Sequence, residues 1–426
     1  MDVEIVSIGD ELLLGFTIDT NAAHFARAAA ERGIRVTRRA TVGDGAEGIA
    51  AAVREALDRT GAVITSGGLG PTADDLTKPA IAALFGRAMY RDEAIIESLR
   101  KRWKARGWPG ELPRTNEQQG MIPEGATILE NRHGSAPGIW LEDERGRWVA
   151  MLPGVPREFR GMCADTLIPR IQELRRRTAD GADSVVLSRT LRTTGIAESA
   201  LADQLGDLAR DPHGASLAYL PGWEGVDLRL TVWDQPRAEA EARIARAAAA
   251  ITERVGRHVY GEGETDLASL VLAALQERGL RVAVAESCTG GMLGMRLTAV
   301  PGSSRSVVGG VIAYDNAVKV RDLGVREATL AAHGAVSEET AREMASGVRV
   351  RMAVDVAMAI TGVAGPDGGT PEKPVGTFCV AVDLSGTVTS VRTSSVGDRH
   401  EVRQRATQAA LNLLLRALRN VPRPLP

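Results

Sequence analysis

The chain has 426 residues, 44% of them hydrophobic and 25% charged, and a formal net charge of -2. That composition is globular and spreads over about two to four domains. The near-neutral charge argues against a nucleic-acid partner, and no run of about 18 apolar residues marks a membrane span.

The first 170 residues alternate strands and helices. VEIVSIG (3–9) reads as a strand, TNAAHFARAAAERG (20–33) as a helix stopped by glycine, and IRVTRRATV (34–42) as a second strand. GIAAAVREALDRT (48–60) is a helix, GAVITSGG (61–68) a buried strand, and WVAMLPGVPREFRGM (148–162) a strand, turn and helix. The βαβαβ order predicts a parallel sheet with helices on its faces. The middle, 171–262, predicts a small α+β domain: strands at 184–195, 216–222 and 226–234, then an Ala-rich helix at 236–256. Gly-Trp-Glu-Gly (222–225) has the GxxG spacing of KH domains, but a KH loop joins two helices, and a hairpin turn between strands is the reading favoured here. GEGETDL (261–267) is a polar boundary in which Thr265 or Asp266 is placed to cap the next helix. A third α/β domain runs over 263–420.

Two groups of residues carry chemistry. In the first domain the segments are GDELLLG (9–15), IDTN (18–21) and TSGGLGPTADDLTKP (65–79). Gly67, Gly68 and Gly70 let backbone N–H groups approach an anion. Asp74 and Asp75 follow, and Asp10 and Glu11 end the first strand at the same sheet edge, where such sheets bind ligands. A tight turn with Asp75 near a helix start is the competing reading.

In the last domain, RVAVA (281–285) leads through AESCTGG (285–291) into a helix, a junction suited to an oxyanion. Tyr314 and Lys319 follow in YDNAVK, then AITGVAGPDGG (359–369), then Arg399 and Arg403 at the start of a helix. Each lies near a strand end, which predicts one site. Serine needs a base, and no His/Asp motif supplies one, whereas a buried lysine can. Only five of the 52 basic residues are lysines, which marks Lys319 for a task arginine cannot do. Ser287 is thus the expected nucleophile and Cys288 its rival. The N–H groups near Thr289, Gly290 and Gly291 are the expected oxyanion donors. The three cysteines, Cys163, Cys288 and Cys379, form no CxxC or zinc spacing, which fits a reducing, cytoplasmic setting. The N-terminus, with acids at once entering a strand, is not read as a signal peptide.

The motifs resemble a known family. GDELLLG, DTN, TSGGLGPTADDLT, NRHGSAPG (131–138) and LPGVP (152–156) look like the molybdopterin-binding-like domain of the CinA family. AESCTGG, YDNAVK, HGAVSEET (333–340), TGVAGPDGGTPEKPVGT (361–377) and GDRHEVR (397–403) look like its C-terminal domain. The resemblance implies an α/β sandwich at the N-terminus, a KH-like middle and an α/β amidase domain. It implies a metal-dependent ADP-ribose pyrophosphatase over 1–170. Asn21, Gly67, Gly68, Gly70, Thr72 and Asn116 would contact ligand there, with Arg114 and Gln119 as further candidates. Asp10, Glu11, Asp74 and Asp75 are the candidate ligands of a divalent cation such as Mg²⁺. Over 263–420 it implies a nicotinamide-nucleotide amidase without a cofactor, turning NMN into nicotinate mononucleotide and ammonia. Ser287, Tyr314 and Lys319 fall on its catalytic set, and Arg399 or Arg403 on its arginine. Thr361, Gly362 and Gly365, with Thr289, Gly290, Gly291 and Arg403, would bind substrate. NMN and ADP-ribose are the expected partners, with no membrane, no nucleic acid, and a homodimer as the assembly. The alternatives are a competence or DNA-repair accessory and a pterin-binding protein.

Overall fold

The structure is a computed structural model that describes residues 1–178 and 184–419. The chain forms two compact units, one of residues 1–187 with 232–242, the other of 188–231 with 243 onward.

In the first unit the elements run β1 (Asp2–Ile8), α1 (Asp10–Leu13), α2 (Thr20–Ala30), β2 (Arg35–Val42), α3 (Ala46–Thr60), β3 (Ala62–Ser66) and α4 (Thr77–Leu84). They continue as β4 (Met89–Arg91), α5 (Glu93–Ala105), β5 (Met121–Pro123), β6 (Thr127–Leu129), β7 (Gly138–Glu142), β8 (Trp148–Leu152), α6 (Pro156–Met162) and α7 (Ile168–Thr178). The main sheet has the order β2-β1-β3-β8-β7-β6. Its first four strands are parallel, and β7 and β6 are added antiparallel. The period-two side-chain alternation of β1 explains the layering. Val3 and Ile5 pack with Phe25 of α2 and Phe159 of α6, while Val6 and Ile8 pack with Ile49 and Val53 of α3. Helices thus cover both faces, as the βαβαβ pattern predicts. α2 starts where the Asp19 carboxylate accepts from Ala22 N, an N-cap that fixes the sheet-edge turn before it.

The second unit draws on β9 (Ser184–Thr193), α8 (Glu198–Leu205), β10 (Ser216–Pro221), β11 (Val226–Pro236), α9 (Arg237–Val255) and β12 (Val259–Glu262), of which residues 184–187 and 232–242 count with the first unit. The sheet order is β10-β11-β9-β12. The GWEG turn joins β10 to β11 as a hairpin, closed by Gly222 N–H donating to Gly225 O at 2.8 Å.

The rest comprises α10 (Leu267–Gln276), β13 (Val282–Glu286), α11 (Met292–Thr298), β14 (Val307–Ile312), α12 (Asn316–Leu323), α13 (Glu327–His333) and α14 (Glu338–Arg351), then β15 (Val356–Gly362), β16 (Thr377–Leu384), β17 (Thr387–Ser394) and α15 (Arg399–Arg419). The sheet is β14-β13-β15-β16-β17, parallel among the first three and antiparallel beyond. Alternation sorts its faces by size. Ala283, Ala285, Ala357, Ala359 and Ala381 meet Met344 and Val348 of α14. Val282, Val284, Met358 and Val380 meet Leu411 and Leu414 of α15. All three cysteines are free and buried, and no helix of the described residues is long and apolar enough to cross a membrane.

Candidate active sites

The strand tips of β13, β14 and β15 bring one group together. A cavity of about 280 Å³, near the low end for small-molecule sites, is lined by Ser287, Cys288, Tyr314, Lys319, Thr361, Gly362, Gly365 and Arg399 among others. Ser287 lies just past β13, its N–H held by Ile360 O at 2.9 Å. Lys319 is buried on α12, whose start is fixed by the Asp315 N-cap. Its Nζ donates to the carbonyls of Ala313 at 2.9 Å and Tyr314 at 3.0 Å. Burial pulls the lysine pKa down, and the charge of Asp315 pulls back. A neutral amine has two N–H donors and one lone pair. In the neutral form the two carbonyls would take both donors and the lone pair would be left unengaged.

Arg399 settles which arginine enters this site. It donates to Tyr314 Oη at 2.9 Å and to Gly365 O at 2.6 Å, and it lines the cavity. Arg403 lies one turn further along and donates to Thr289 O at 2.7 Å instead, so it braces the loop that follows β13. Thr361 contributes by holding Ala335 O through its hydroxyl at 2.7 Å.

The expected oxyanion donors need correction. Gly290 N–H donates to Ser287 O, and Gly291 N–H donates to the Glu286 carboxylate at 3.1 Å, so neither is free. Thr289, Gly290, Gly291 and Arg403 do not line the cavity. The Glu286 carboxylate, almost wholly buried, also accepts from Leu293 N at 3.0 Å and Gly294 N at 2.8 Å. The helix start is therefore satisfied from within, and Glu286 is the residue the sequence reading passed over, although it stands inside AESCTGG. Cys288 is disfavoured as nucleophile because burial pushes its thiol up to about 12, so thiolate is scarce at neutral pH. Asn316 and Asp367 also line the cavity.

In the first unit the glycine loop leaves β3. Gly67 has φ 114° and approaches Ile8 O too closely for any Cβ. Asn21 joins it, its Nδ2 donating to Ser66 Oγ at 2.9 Å and Gly154 O at 2.8 Å, while its buried Oδ1 has no partner. Gly154, of the LPGVP motif, comes within van der Waals reach of Gly67. No hydrogen bond ties the Asn116 side chain to this loop, and Arg114 is exposed on a 3-10 helix, Arg114–Gly120. Gln119 of that helix is buried with Oε1 unpartnered.

Asp75 is not free to ligate. It accepts from Gly70 N at 2.7 Å, Thr72 N at 2.8 Å and Thr72 Oγ1 at 2.5 Å, closing the loop on itself. The amides of Gly70 and Thr72 are consumed in the same way. Asp10 pairs with the 44 turn, its N–H donating to Asp44 and its carboxylate accepting from Asp44 N. Glu11 folds over Gly9, and Asp74 is exposed. Among the described residues no group of three or more His, Cys, Asp or Glu side chains could hold a metal ion. The four carboxylates named from sequence therefore do not fit a preformed cage, because Asp75 serves the loop and the others point to separate tasks.

Lys78, one of the five lysines, stands near the end of the TSGGLGPTADDLTKP segment. It is buried on α4 beside that loop, donates to Gln118 O at 2.5 Å, and has its pKa lowered to about 8 by burial, partly offset by Asp75. Since the folded pKa lies below the unfolded value, the unfolded chain holds more protons between pH 8 and 10, and stability from this group rises with pH there. Relative to Lys78→Met, wild type should gain up to about 1.4 kcal/mol per pH unit in that window. Chemical denaturation at pH 8 and pH 9.5 measures it; parallel curves for the two proteins would remove the buried charge from the ledger.

Three family models cover nearly the whole chain: a probable molybdopterin binding domain over 4–173, a damage-inducible protein CinA KH domain over 188–261, and a CinA C-terminal domain over 264–418. Fold and match together define a three-domain protein with a MoCF-type α/β domain, a KH-type middle and a C-terminal α/β domain. The GxxG spacing thus belonged to a KH-type domain after all, although its loop is a strand-to-strand hairpin. A CinA-like protein of Gemmatimonas aurantiaca is 64% identical over 98% of this chain and 96% of its own. A putative competence-damage inducible protein of Moorella thermoacetica is 40% identical over 98% and 99%. The chain belongs to the CinA family. A solved competence-damaged (CinA) superfamily protein from Klebsiella pneumoniae is 37% identical, covering 36% of this chain and 97% of that one, with TM-score 0.36.

Proposed function

We propose that the C-terminal domain hydrolyses the carboxamide of nicotinamide mononucleotide. The observation that carries this is Lys319, buried, with both amine donors on carbonyls, in one cavity with Ser287, Tyr314 and Arg399. Ser287 Oγ attacks the amide carbon while its proton passes to the neutral amine of Lys319. The tetrahedral intermediate collapses as Lys319, through the Tyr314 hydroxyl, returns that proton to the leaving nitrogen, and ammonia departs. Water attacks the remaining ester, gives its proton to the same base, and releases nicotinate mononucleotide with Ser287 restored. Arg399 holds the Tyr314 hydroxyl and offers its remaining N–H groups to the anionic end of the substrate.

For the N-terminal domain we propose ADP-ribose pyrophosphatase activity. Support comes from the glycine loop at the carboxyl edge of the sheet and from the buried, unpartnered Asn21 Oδ1 of the residue packed beside it. No step is assigned to a divalent ion, since its donors are not assembled. Incubating the purified protein with NMN and with ADP-ribose, with product analysis, tests both readings. Chelator should spare ammonia release, and its effect on ADP-ribose cleavage reads whether substrate completes a cation site that the dispersed carboxylates do not preform. Loss of both, restored by Mg²⁺, would contradict the cofactor-free amidase. The proposed assembly is a homodimer, read by light scattering of the intact chain.

A further inference from the structure

The sequence left the GWEG turn without a task. In the structure it is occupied from within the second unit. Arg296, on the α11 helix that follows the Ser287 loop, donates to Glu224 Oε1 at 2.9 Å and stacks its guanidinium over the Trp223 ring at 5.2 Å. Arg296 also pairs with Asp266, and Glu224 also pairs with Arg192. Arg192 in turn holds Asp227 at 2.9 Å. Both arginine side chains are largely shielded, at 11% and 15% exposed.

Three features say that this contact is built. Asp266 occupies the N-cap position of α10 yet makes no capping hydrogen bond; its carboxylate serves Arg296. Gly225 sits against Thr193 O so closely that no Cβ fits, which fixes the turn on β9. Arg192 and Arg296 pair with three carboxylates, Glu224, Asp227 and Asp266, and Arg229 is the next positive charge near Asp227, so the cluster holds no excess of positive charge for a phosphate. A nucleic-acid clamp needs the opposite balance.

We propose that the GWEG turn of the KH-type domain is an intramolecular peg, and that Arg296 is a positioning residue that transmits it to the nucleophile loop. The path is short. Arg296 is one turn along the helix whose first N–H groups are bound by Glu286, the residue before Ser287. Holding Trp223 and Glu224 sets the rotation of that helix, and with it the place of the loop. This rests on the amidase reading for its kinetic test, but not for its structural one.

The full chain is compared with Arg296→Ala, Arg296→Lys, Glu224→Gln and the double variant Arg296→Ala/Glu224→Gln. The readouts are kcat and KM for NMN hydrolysis and amide hydrogen exchange over residues 286–298. Each loss should lower kcat roughly three- to thirtyfold with little change in KM, the coupling expected of contacting groups. Lysine should recover part of it, since charge is kept and the planar stack is lost. The double variant should be no worse than Arg296→Ala alone, and exchange should quicken over 286–298. Wild-type kcat and exchange in Arg296→Ala, or additive losses in the double variant, would overturn the peg. If wild type proves inert on NMN, quickened exchange still supports the peg and the substrate reading alone falls. A single-stranded oligonucleotide that binds the intact protein and is lost on Glu224→Gln would place the turn at a ligand and overturn it too.

Discussion

Lys319→Arg is expected to lose most NMN hydrolysis, by about 10²–10⁴ in kcat, the usual worth of a general base, measured where the variant is fully folded. Arginine is longer and permanently charged, so at this buried position it should also lower the melting temperature. It cannot give up a proton at any usable pH, so it offers no lone pair. The pH profile separates this from a packing defect. Burial lowers the lysine pKa, so the wild-type rate should rise with pH as the ammonium empties, along a limb ending below the ordinary lysine value. In Lys319→Arg the residual rate should lack that limb. ADP-ribose cleavage by the same preparation reports on folding of the rest of the chain. Near wild-type deamidation with an unchanged limb would take Lys319 out of the mechanism.

What the sequence revealed and what it hid divide along one line. Alternation is local, so VAVAE announced a strand buried on both faces, and the alanine and valine faces followed in space. The strand-tip motifs were equally readable, because a parallel sheet gathers its carboxyl ends whatever fills them. Partner choice was not readable. Arg399 and Arg403 are four apart on one helix and differ only in what lies across from them, the Tyr314 hydroxyl or the Thr289 carbonyl. Asp75 looked like a ligand because nothing in DD says which way a carboxylate turns, and it turned back onto Gly70 and Thr72. Asp266 looked like a cap for the same reason and went to Arg296. Lys78 lay hidden because burial of a lysine depends on distant chain, here the carbonyl of Gln118.

Glu286 carries the last expectation. Its two oxygens accept three backbone N–H groups, Gly291 and Leu293 on one and Gly294 on the other. Its negative charge also lies at the positive end of α11. Glu286→Gln preserves shape but supplies one acceptor oxygen and one amino group. Whichever way the amide turns, at least one of these N–H groups faces another donor, at up to about 1–3 kcal/mol where the orphaned group is buried, as at Leu293. Glu286→Ala orphans all three and should cost more. Because Ser287 follows directly, the same variants should displace the nucleophile, so kcat should fall further than the melting temperature alone suggests. The measurement pairs a thermal melt with ammonia release, at a temperature where each variant is fully folded. Unlike Lys319→Arg, the residual rate of Glu286→Gln should keep the wild-type pH limb, since the base is untouched and only the geometry has slipped. A Glu286→Gln protein with wild-type melt and turnover would mean that the loop is held by Arg403 and the Ile360 carbonyl alone.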